Sequence, residues 1–443
     1  MLALPTASCT AYKTQTPPVR ECRPGWIVLT LTLLVLVALG LRLEDAWQRN
    51  HQTPGEHSLS LVGDEPEYET LAYSLLEGSF FQRPVRVPVY PMFIAATYLI
   101  LGERSPERLL YFQAIVGTAA VLLTFFLAKK VTGVVPALAA AGIVALDNSL
   151  IDHTGQIYAE ILYTPLLLLS LLALLWALET PQPFRFACAG AGMAVVTLCR
   201  PTSALIPLLL PFMLPHAWNA KQKMKAFLVY GFAMSAIIAP WTCHNWREYG
   251  RFLPLSVSLG AMWQGSPEFY HLAQSGRNHL DIWDKELNPE RNGGHDPTTI
   301  DGDRHFNRLG IRSIVAEPVA YVEYSLKKAI YLWFGNPAAE LTYLDLFDWE
   351  ALRDWSSFSR PKLAGMLVAA QMPLVALGAI LFLLLRGRLR PLLPFILVCG
   401  YFTLIHMITW SETRYSGPLH PLLAIIIVVA AGEAIELARR RFI

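Results

Sequence analysis

The acidic and basic residues that could do chemistry fall at or just beyond the ends of apolar runs. Two carboxylates stand where helices are predicted to begin, Asp64 and Glu160. Arg86 lies in a proline-rich segment, Arg200 between two short apolar runs, and Arg414 close to the last run. A carboxylate can act as a general base, and a guanidinium group matches a phosphate through two parallel hydrogen bonds. These residue types favour a site that binds a phosphate group beside a base.

Each of these residues also has a simpler structural explanation. Acidic residues at the start of a helix offset its dipole by about 0.3–1 kcal/mol, which would account for Asp64 and more readily for Glu65 and Glu67. Arginines near a membrane surface extend their charged ends toward the headgroups. The functional interpretation depends on two acids and three arginines converging on one face of one protein.

The segments around these residues predict how they are held. Beyond Asp64, Pro66 suits a first helical turn, and apolar residues recur at helical spacing from Tyr68. This pattern predicts an amphipathic helix lying on the membrane. The prolines of the segment 83–91 exclude a regular helix and predict a stiff loop that delivers Arg86 to the interface.

The composition is that of an integral membrane protein. The chain has 443 residues, of which 54% are hydrophobic and only 16% charged, against about a quarter charged in soluble proteins. Many of its apolar runs approach the roughly 20 residues that cross a hydrocarbon core. Ten runs are predicted to span the membrane: Trp26–Leu43, Leu109–Leu127, Val134–Leu150, Ile161–Leu178, Phe184–Cys199, Ser203–Pro215, Ala226–Thr242, Leu363–Leu385, Leu392–Trp410 and Pro418–Leu437.

The distribution of lysine and arginine predicts the orientation. The run Val89–Leu101 is short, which favours an interfacial or re-entrant segment. If it does not span, one orientation places every basic cluster in the cytoplasm, as the positive-inside rule requires. Both termini are then cytoplasmic. The clusters are Lys129-Lys130, Lys221/Lys223/Lys225, Arg386/Arg388/Arg390 and Arg439-Arg440-Arg441.

This topology divides the chain into four parts. Residues 1–25 form a cytoplasmic tail, and 26–242 form a membrane module whose first outer loop is 44–108. Residues 243–362 form a large outer loop, and 363–443 form the C-terminal membrane helices. Ionisable residues are almost absent at mid-depth, where a proton-coupled transporter would more often need them. A site at the outer rim is therefore favoured.

Other patterns carry little weight. Asp301-Gly302-Asp303 mimics a signature of nucleotide-sugar enzymes, but it falls outside the membrane, where a glycine-containing turn is the better explanation. The histidines and cysteines lack metal-binding spacing. A net charge of +2 gives no reason to expect nucleic acid. The sequence predicts no cofactor and leaves a divalent metal ion open.

The order of these motifs resembles that of the GT-C glycosyltransferases of the protein O-mannosyltransferase and aminoarabinose-transferase type. The resemblance covers roughly residues 60–265 and 410–422, and the loop 243–362 as a whole has no match. The motifs that carry it are Asp64-Glu65-x-x-Tyr68, Arg86-x-Pro88-x-Tyr90-Pro91, Glu160 opening a span, Arg200-Pro201, Pro240-Trp241 and Arg414-Tyr415. It implies an all-α bundle of about ten transmembrane helices with juxtamembrane helices and a large outer loop.

The resemblance also implies roles for individual residues. Asp64 would be the general base and Glu160 the second acid, which orients the acceptor or the sugar. Val89 and His244 depart from residues common in the family, which puts the carrier and the acceptor in doubt. The residues implied in binding the substrate or its phosphate are Arg86, Tyr90, Arg200, Arg414, Tyr415, Glu65, Tyr68 and His244.

The activity implied is transfer of a sugar from a polyprenyl-phosphate carrier to a lipid, glycan or protein acceptor, with inversion. The acceptor site would face the periplasm, and the compact length favours a bacterial plasma membrane over the endoplasmic reticulum. A lipid-linked sugar transporter or flippase and a non-catalytic scaffold are the alternatives. The sequence names neither the sugar nor the acceptor.

Overall fold

The computed structural model describes residues 24–51, 59–79, 81, 83–274, 286, 293–334 and 360–441. Within these ranges every regular element is a helix, as the resemblance implied. The predicted tail 1–25 lies almost entirely outside the described residues, as do parts of the two outer loops.

The helices fall into three groups along the chain. The first group is α1 (Pro24–Asn50), α2 (Glu65–Leu76), α3 (Val89–Leu101), α4 (Pro106–Lys129), α5 (Val134–Ala145), α6 (Asn148–Asp152), α7 (Glu160–Leu178), α8 (Pro183–Cys199), α9 (Leu210–Met213) and α10 (Ala220–Tyr249). The second is α11 (Ala261–Gln264), α12 (Pro267–Gln274), α13 (Ile300–Ala316) and α14 (Pro318–Phe334). The third is α15 (Arg360–Leu385), α16 (Leu393–Ile408) and α17 (His420–Arg441).

Six helical segments of the described chain are long and apolar enough to cross a membrane, so the protein is a multi-pass membrane protein. They are Gly25–Asn50, Pro106–Lys129, Glu160–Leu178, Ala220–Tyr249, Arg390–Ile408 and Thr413–Arg441. The count of about ten spans is not confirmed, because the remaining predicted runs form shorter apolar helices. The shorter apolar helices are Val89–Leu101, Val134–Ala145, Pro183–Cys199, Pro201–Met213 and Gln371–Leu385.

Close packing of small residues joins the membrane helices. α8 packs between α7 and α10, and α4 packs against α1, α5 and α7. At Gly190 the backbone of α8 lies so near α10 that an added Cβ would overlap the carbonyl group of Tyr230. A helix pair that approaches this closely depends on a residue without a side chain.

The second group of helices forms a separate small core and is tied to the membrane helices. Its core is aromatic and includes Trp263, Phe269 and Tyr324. Lys328 of α14 is almost fully buried and donates hydrogen bonds to the carbonyl oxygens of Gly265 (3.0 Å) and Thr409 (2.7 Å). The same ammonium group therefore bonds to the segment between α11 and α12 and to the segment that follows α16.

We expect Gly190→Ala to lower the free energy of unfolding by about 1–3 kcal/mol, because the new methyl group must separate α8 from α10. Gly231→Ala is the matched control, since an added Cβ there meets no atom within 4 Å. It should be neutral or slightly stabilising, because alanine favours helix by about 0.8–1.0 kcal/mol over glycine. Thermal unfolding of both variants in detergent checks this, and equal behaviour would contradict it.

Candidate active site

Asp64 is the meeting point of two arginines that are far apart in the sequence. Its Oδ1 accepts a hydrogen bond from Arg86 Nη2 at 2.8 Å, and its Oδ2 accepts one from Arg414 Nη2 at 3.0 Å. Although Asp64 occupies the N-cap position of α2, its side chain makes no capping hydrogen bond. Capping of its own helix therefore does not explain this carboxylate.

The turn before α2 fixes the direction of the Asp64 side chain. Gly63 has φ of +60°, a left-handed conformation that glycine adopts without strain. A Cβ at this position would also lie 2.8 Å from the hydroxyl oxygen of Tyr158. Glycine at position 63 is thus required both by the backbone angle and by the contact with Tyr158.

The two arginines keep Asp64 ionised. Burial alone would raise the pKa of this carboxyl group, but the charges of Arg86 and Arg414 and their hydrogen bonds outweigh burial and lower its pKa below the ordinary value. Asp64 is consequently an anion at neutral pH while both arginines contact it.

Arg86 is held by a second acid and by an aromatic ring. Its Nε donates to Glu67 Oε2 at 2.7 Å, and its guanidinium carbon lies 4.8 Å from the centre of the Tyr68 ring. Val85 and Val87, on either side of it, are buried. The proline-rich loop therefore anchors its apolar residues in the protein while Arg86 reaches the acids. The predicted non-helical segment 83–91 was too long, because α3 begins at Val89 and Pro91 lies in its first turn, where proline is tolerated.

Glu160 forms the other half of the charge cluster. Only 3% of this residue is exposed, and its carboxylate forms an ion pair with Arg200. Arg414 Nε lies 3.8 Å from the same carboxylate oxygen. Arg414 thus stands between Asp64 and Glu160, so the structure brings together the two acids and three arginines that the sequence singled out.

Aromatic rings cover the arginines. Arg200 lies over the ring of Tyr415 at 4.3 Å, and Arg414 lies over the ring of Tyr158, also at 4.3 Å. Tyr415 in turn stacks on His406, with ring centres 4.7 Å apart. A ring face attracts a cation and also limits its movement, which orients the guanidinium groups toward the carboxylates.

Three contributors to the cluster were not singled out by sequence reasoning. Tyr158 lies two residues before Glu160, and Glu412 lies two residues before Arg414 with a carboxylate oxygen 2.5 Å from Arg414 Nε. Glu67 had been explained by the helix dipole alone, yet it pairs with Arg86. The proximity of these residues to predicted site residues was the one signal available.

Other predicted site residues lie in internal contacts. Glu65 is fully buried and accepts hydrogen bonds from the backbone nitrogens of Val62 (2.8 Å) and Ile157 (2.9 Å). Tyr90 is also fully buried, and its hydroxyl donates to Gln113 at 2.6 Å. His244 lies against Trp241, with ring centres 5.3 Å apart.

In the part of the chain that the structure describes, no group of three or more histidine, cysteine, aspartate or glutamate side chains could hold a metal ion. Asp303 instead links α13 to the segment before α11. Its Oδ1 accepts hydrogen bonds from the backbone nitrogens of Ser258 (3.1 Å) and Gly260 (2.8 Å). The Asp301-Gly302-Asp303 pattern thus has a structural role, but the predicted glycine-containing turn was wrong, because these residues lie in the first turn of α13.

Comparison with known proteins gives a family match over part of the chain and a shared fold. Residues 82–244 match the family model described as dolichyl-phosphate-mannose-protein mannosyltransferase. This region includes Arg86, Glu160 and Arg200, whereas Asp64 precedes it and Arg414 follows it. No curated protein matches the sequence significantly.

Solved structures of oligosaccharyltransferases share the architecture. AglB from Archaeoglobus fulgidus, solved with an inhibitory peptide and a dolichol-phosphate, is 15% identical, with a TM-score of 0.56 over 94% of this chain and 51% of that one. A second structure of the A. fulgidus enzyme, tethered to an acceptor peptide, is 15% identical, with a TM-score of 0.57 over 94% and 50%. The chain therefore spans about half the length of these relatives.

A structure of ArnT from Cupriavidus metallidurans bound to undecaprenyl phosphate is also similar. It is 16% identical over 92% of this chain and 78% of that one, with a TM-score of 0.42. The resemblance predicted from the sequence is confirmed: this chain has the fold of the GT-C glycosyltransferases, and its residues 82–244 resemble dolichyl-phosphate-mannose-protein mannosyltransferases.

Proposed function

We propose that the chain is a membrane glycosyltransferase that transfers a sugar from a polyprenyl-phosphate carrier to a hydroxyl acceptor on the non-cytoplasmic side of the membrane. The observation that carries the proposal is Arg414, which contacts both Asp64 and Glu160 while Arg86 and Arg200 complete the cluster. The family match and the shared fold support the same class of reaction.

The paired arginines indicate how a phosphate would be held. Arg86 and Arg414 contact different oxygens of the one Asp64 carboxylate, so both guanidinium groups reach a single small anion. A phosphate presents the same arrangement of oxygens to guanidinium groups. We infer that the carrier phosphate takes the place of a carboxylate on these arginines when the donor binds.

The reaction we propose is a single displacement at the anomeric carbon. Asp64 accepts the proton of the acceptor hydroxyl while that oxygen forms the new glycosidic bond. The bond from the anomeric carbon to the carrier phosphate oxygen breaks with its electron pair, and the carrier leaves as a phosphate. Arg86, Arg200 and Arg414 stabilise the charge that develops on it, and fixed charge of this kind is often the largest catalytic contribution.

The remaining residues have supporting roles in this proposal. Glu160 orients the acceptor or the sugar, and Tyr68 and Tyr415 line the arginines. Glu65 and Tyr90, whose polar atoms bond within the protein, hold the site in shape. His244 contacts the substrate at the edge of the site.

We also propose that the site faces the periplasm of a bacterial plasma membrane and that both termini are cytoplasmic. The support is the distribution of basic residues, which one orientation satisfies completely. In this orientation the start of α10, with Lys221, lies inside, and the end of α10, with Cys243, lies outside.

Cysteine labelling checks the orientation. Cys243 is exposed, so a variant that keeps only this cysteine should react with an impermeant maleimide added to intact spheroplasts. A cysteine-free chain carrying Arg388→Cys, an exposed position in the turn after α15, should react only after the membrane is permeabilised. The reverse pattern would contradict the proposed orientation.

The proposed base gives the first test of the chemistry. We expect Asp64→Asn to insert and fold normally but to lose about 10²–10⁴-fold in the rate of transfer, because a positioned base typically contributes that factor. The assay is transfer of labelled sugar from a polyprenyl-phosphate donor in detergent, where no gradient exists. Transfer under these conditions would exclude a flippase as the whole activity.

Glu67→Gln is the control for Asp64→Asn. It removes a carboxylate that pairs with the same arginine, but it leaves the proposed base in place, so we expect less than about a tenfold loss. A near-normal rate for Asp64→Asn, or an equal loss in both variants, would remove Asp64 from the proposed mechanism.

The phosphate contact gives a separate test. Arg86→Lys keeps the charge but cannot form two parallel hydrogen bonds, so the KM for the carrier donor should rise about tenfold or more. Arg83→Lys makes the same change on an exposed residue of the same loop and should leave the KM unchanged. An unchanged KM in both variants would assign Arg86 to the membrane surface instead.

A further inference from the structure

Arg42 is a buried cation that the proposed reaction does not use. It lies in α1, and none of its surface is exposed. Its Nη1 donates to the carbonyl oxygen of Ala38 at 3.2 Å, whereas Nε and Nη2 are buried without a hydrogen-bond partner. Asp45 and Asp147 attract it, but neither forms an ion pair with it. An unpaired guanidinium group inside a membrane protein opposes folding, so its presence needs a reason other than stability.

The Arg42 side chain lines a small cavity behind Glu160. The cavity has a volume of about 10 Å³, and its other lining residues include Gly117, His153 and Thr164. This is enough room for about one water molecule, provided that polar groups are there to bind it. Gly117 leaves room beside the cavity, since a Cβ there would lie 2.5 Å from Cδ1 of Ile161, another lining residue.

His153 supplies a further polar atom. Its Nδ1 is buried without a hydrogen-bond partner, and burial lowers the pKa of His153 to about 4, so the ring is neutral at physiological pH. The ring packs so closely on Gly417, three residues after Arg414, that a Cβ at Gly417 would overlap it. His153 therefore lies between the cavity and the turn that carries Arg414.

We propose that this cavity binds one ordered water molecule and that Arg42 acts through it as a positioning residue for Glu160. The water oxygen accepts a hydrogen bond from Arg42, and the two water protons are donated to the Glu160 carboxylate and to His153 Nδ1. One molecule thereby satisfies buried polar groups of two side chains that otherwise lack partners. This inference rests on the role of Glu160 in the proposed function.

The arrangement explains why a third cation is needed behind Glu160. On the site side, Glu160 is paired with Arg200 and Arg414, the same arginines that would contact the carrier phosphate. When they turn to the phosphate, Glu160 loses their charge. Arg42 cannot follow, because it is enclosed between helices. Its positive charge therefore continues to hold the Glu160 carboxylate ionised and in place while the donor is bound.

Arg42→Met tests this role because it removes the charge and keeps an unbranched side chain. The cost of burying the Arg42 charge, which makes no direct ion pair, can exceed the gain from one water-mediated contact, so we expect an unchanged or higher Tm together with about a tenfold lower kcat. Arg42→Lys should retain intermediate activity. A parallel fall in Tm and activity, or an unchanged kcat, would overturn the inference.

A double-mutant cycle separates this inference from the proposed function. If Arg42 acts through Glu160, then Arg42→Met should reduce transfer by less than about twofold in a Glu160→Gln background. Independent, additive losses would overturn the role of Arg42 alone. A normal rate for the Glu160→Gln single variant would instead remove Glu160 from the proposed reaction.

A density map that resolves waters should show one in the cavity, and a dry cavity would exclude the bridge.

Discussion

The arrangement of this site depends on one cation, Arg414, that lies between two acids. Arg414 contacts Asp64, 350 positions away in the chain, and lies 3.8 Å from Glu160. Two carboxylates this close in a partly dry environment would repel one another strongly. The guanidinium group between them makes their proximity favourable, and it does so with a group that can also bind phosphate. The rest of the fold brings three distant parts of the chain to this one side chain.

Some acidic residues next to the site link backbone segments to one another and do not reach the arginines of the charge cluster. Glu65 is an example, because it joins the turn before α2 to the segment before α7 through two backbone hydrogen bonds. Asp64 and Glu160 each follow one of these segments. Glu65 and Asp64 are adjacent acids with different tasks, one a buried link and the other a carboxylate aimed at two arginines. Burial separates them: Glu65 is 0% exposed, whereas the Asp64 side chain is 33% exposed.

The sequence was sufficient to predict those features of the fold and the site that follow from the positions of apolar and charged residues. Apolar runs indicate membrane helices, and charged residues confined to their ends must find partners there, so the convergence of Asp64, Glu160 and the three arginines could be predicted. Pairing within the cluster could not, because helix rotation and side-chain rotamers decide it. The burial of Arg42 could not be predicted either. An arginine near the end of an apolar run is expected at the surface, but the rotation of α1 places this one inside the protein. Span number was uncertain for a related reason: helices such as Pro183–Cys199 are apolar but short.

The ammonium group of Lys328 has a mechanical consequence for donor and acceptor. It bonds to Gly265, between α11 and α12, and to Thr409, and the hydroxyl of Ser411 donates to the carbonyl oxygen of Lys328 at 3.1 Å. Four residues separate Thr409 from Arg414. A ligand that moves α14 relative to the membrane helices would therefore also displace the segment 409–414, which carries Arg414. The helices α11–α14 and the charge cluster are therefore joined through one buried ammonium group.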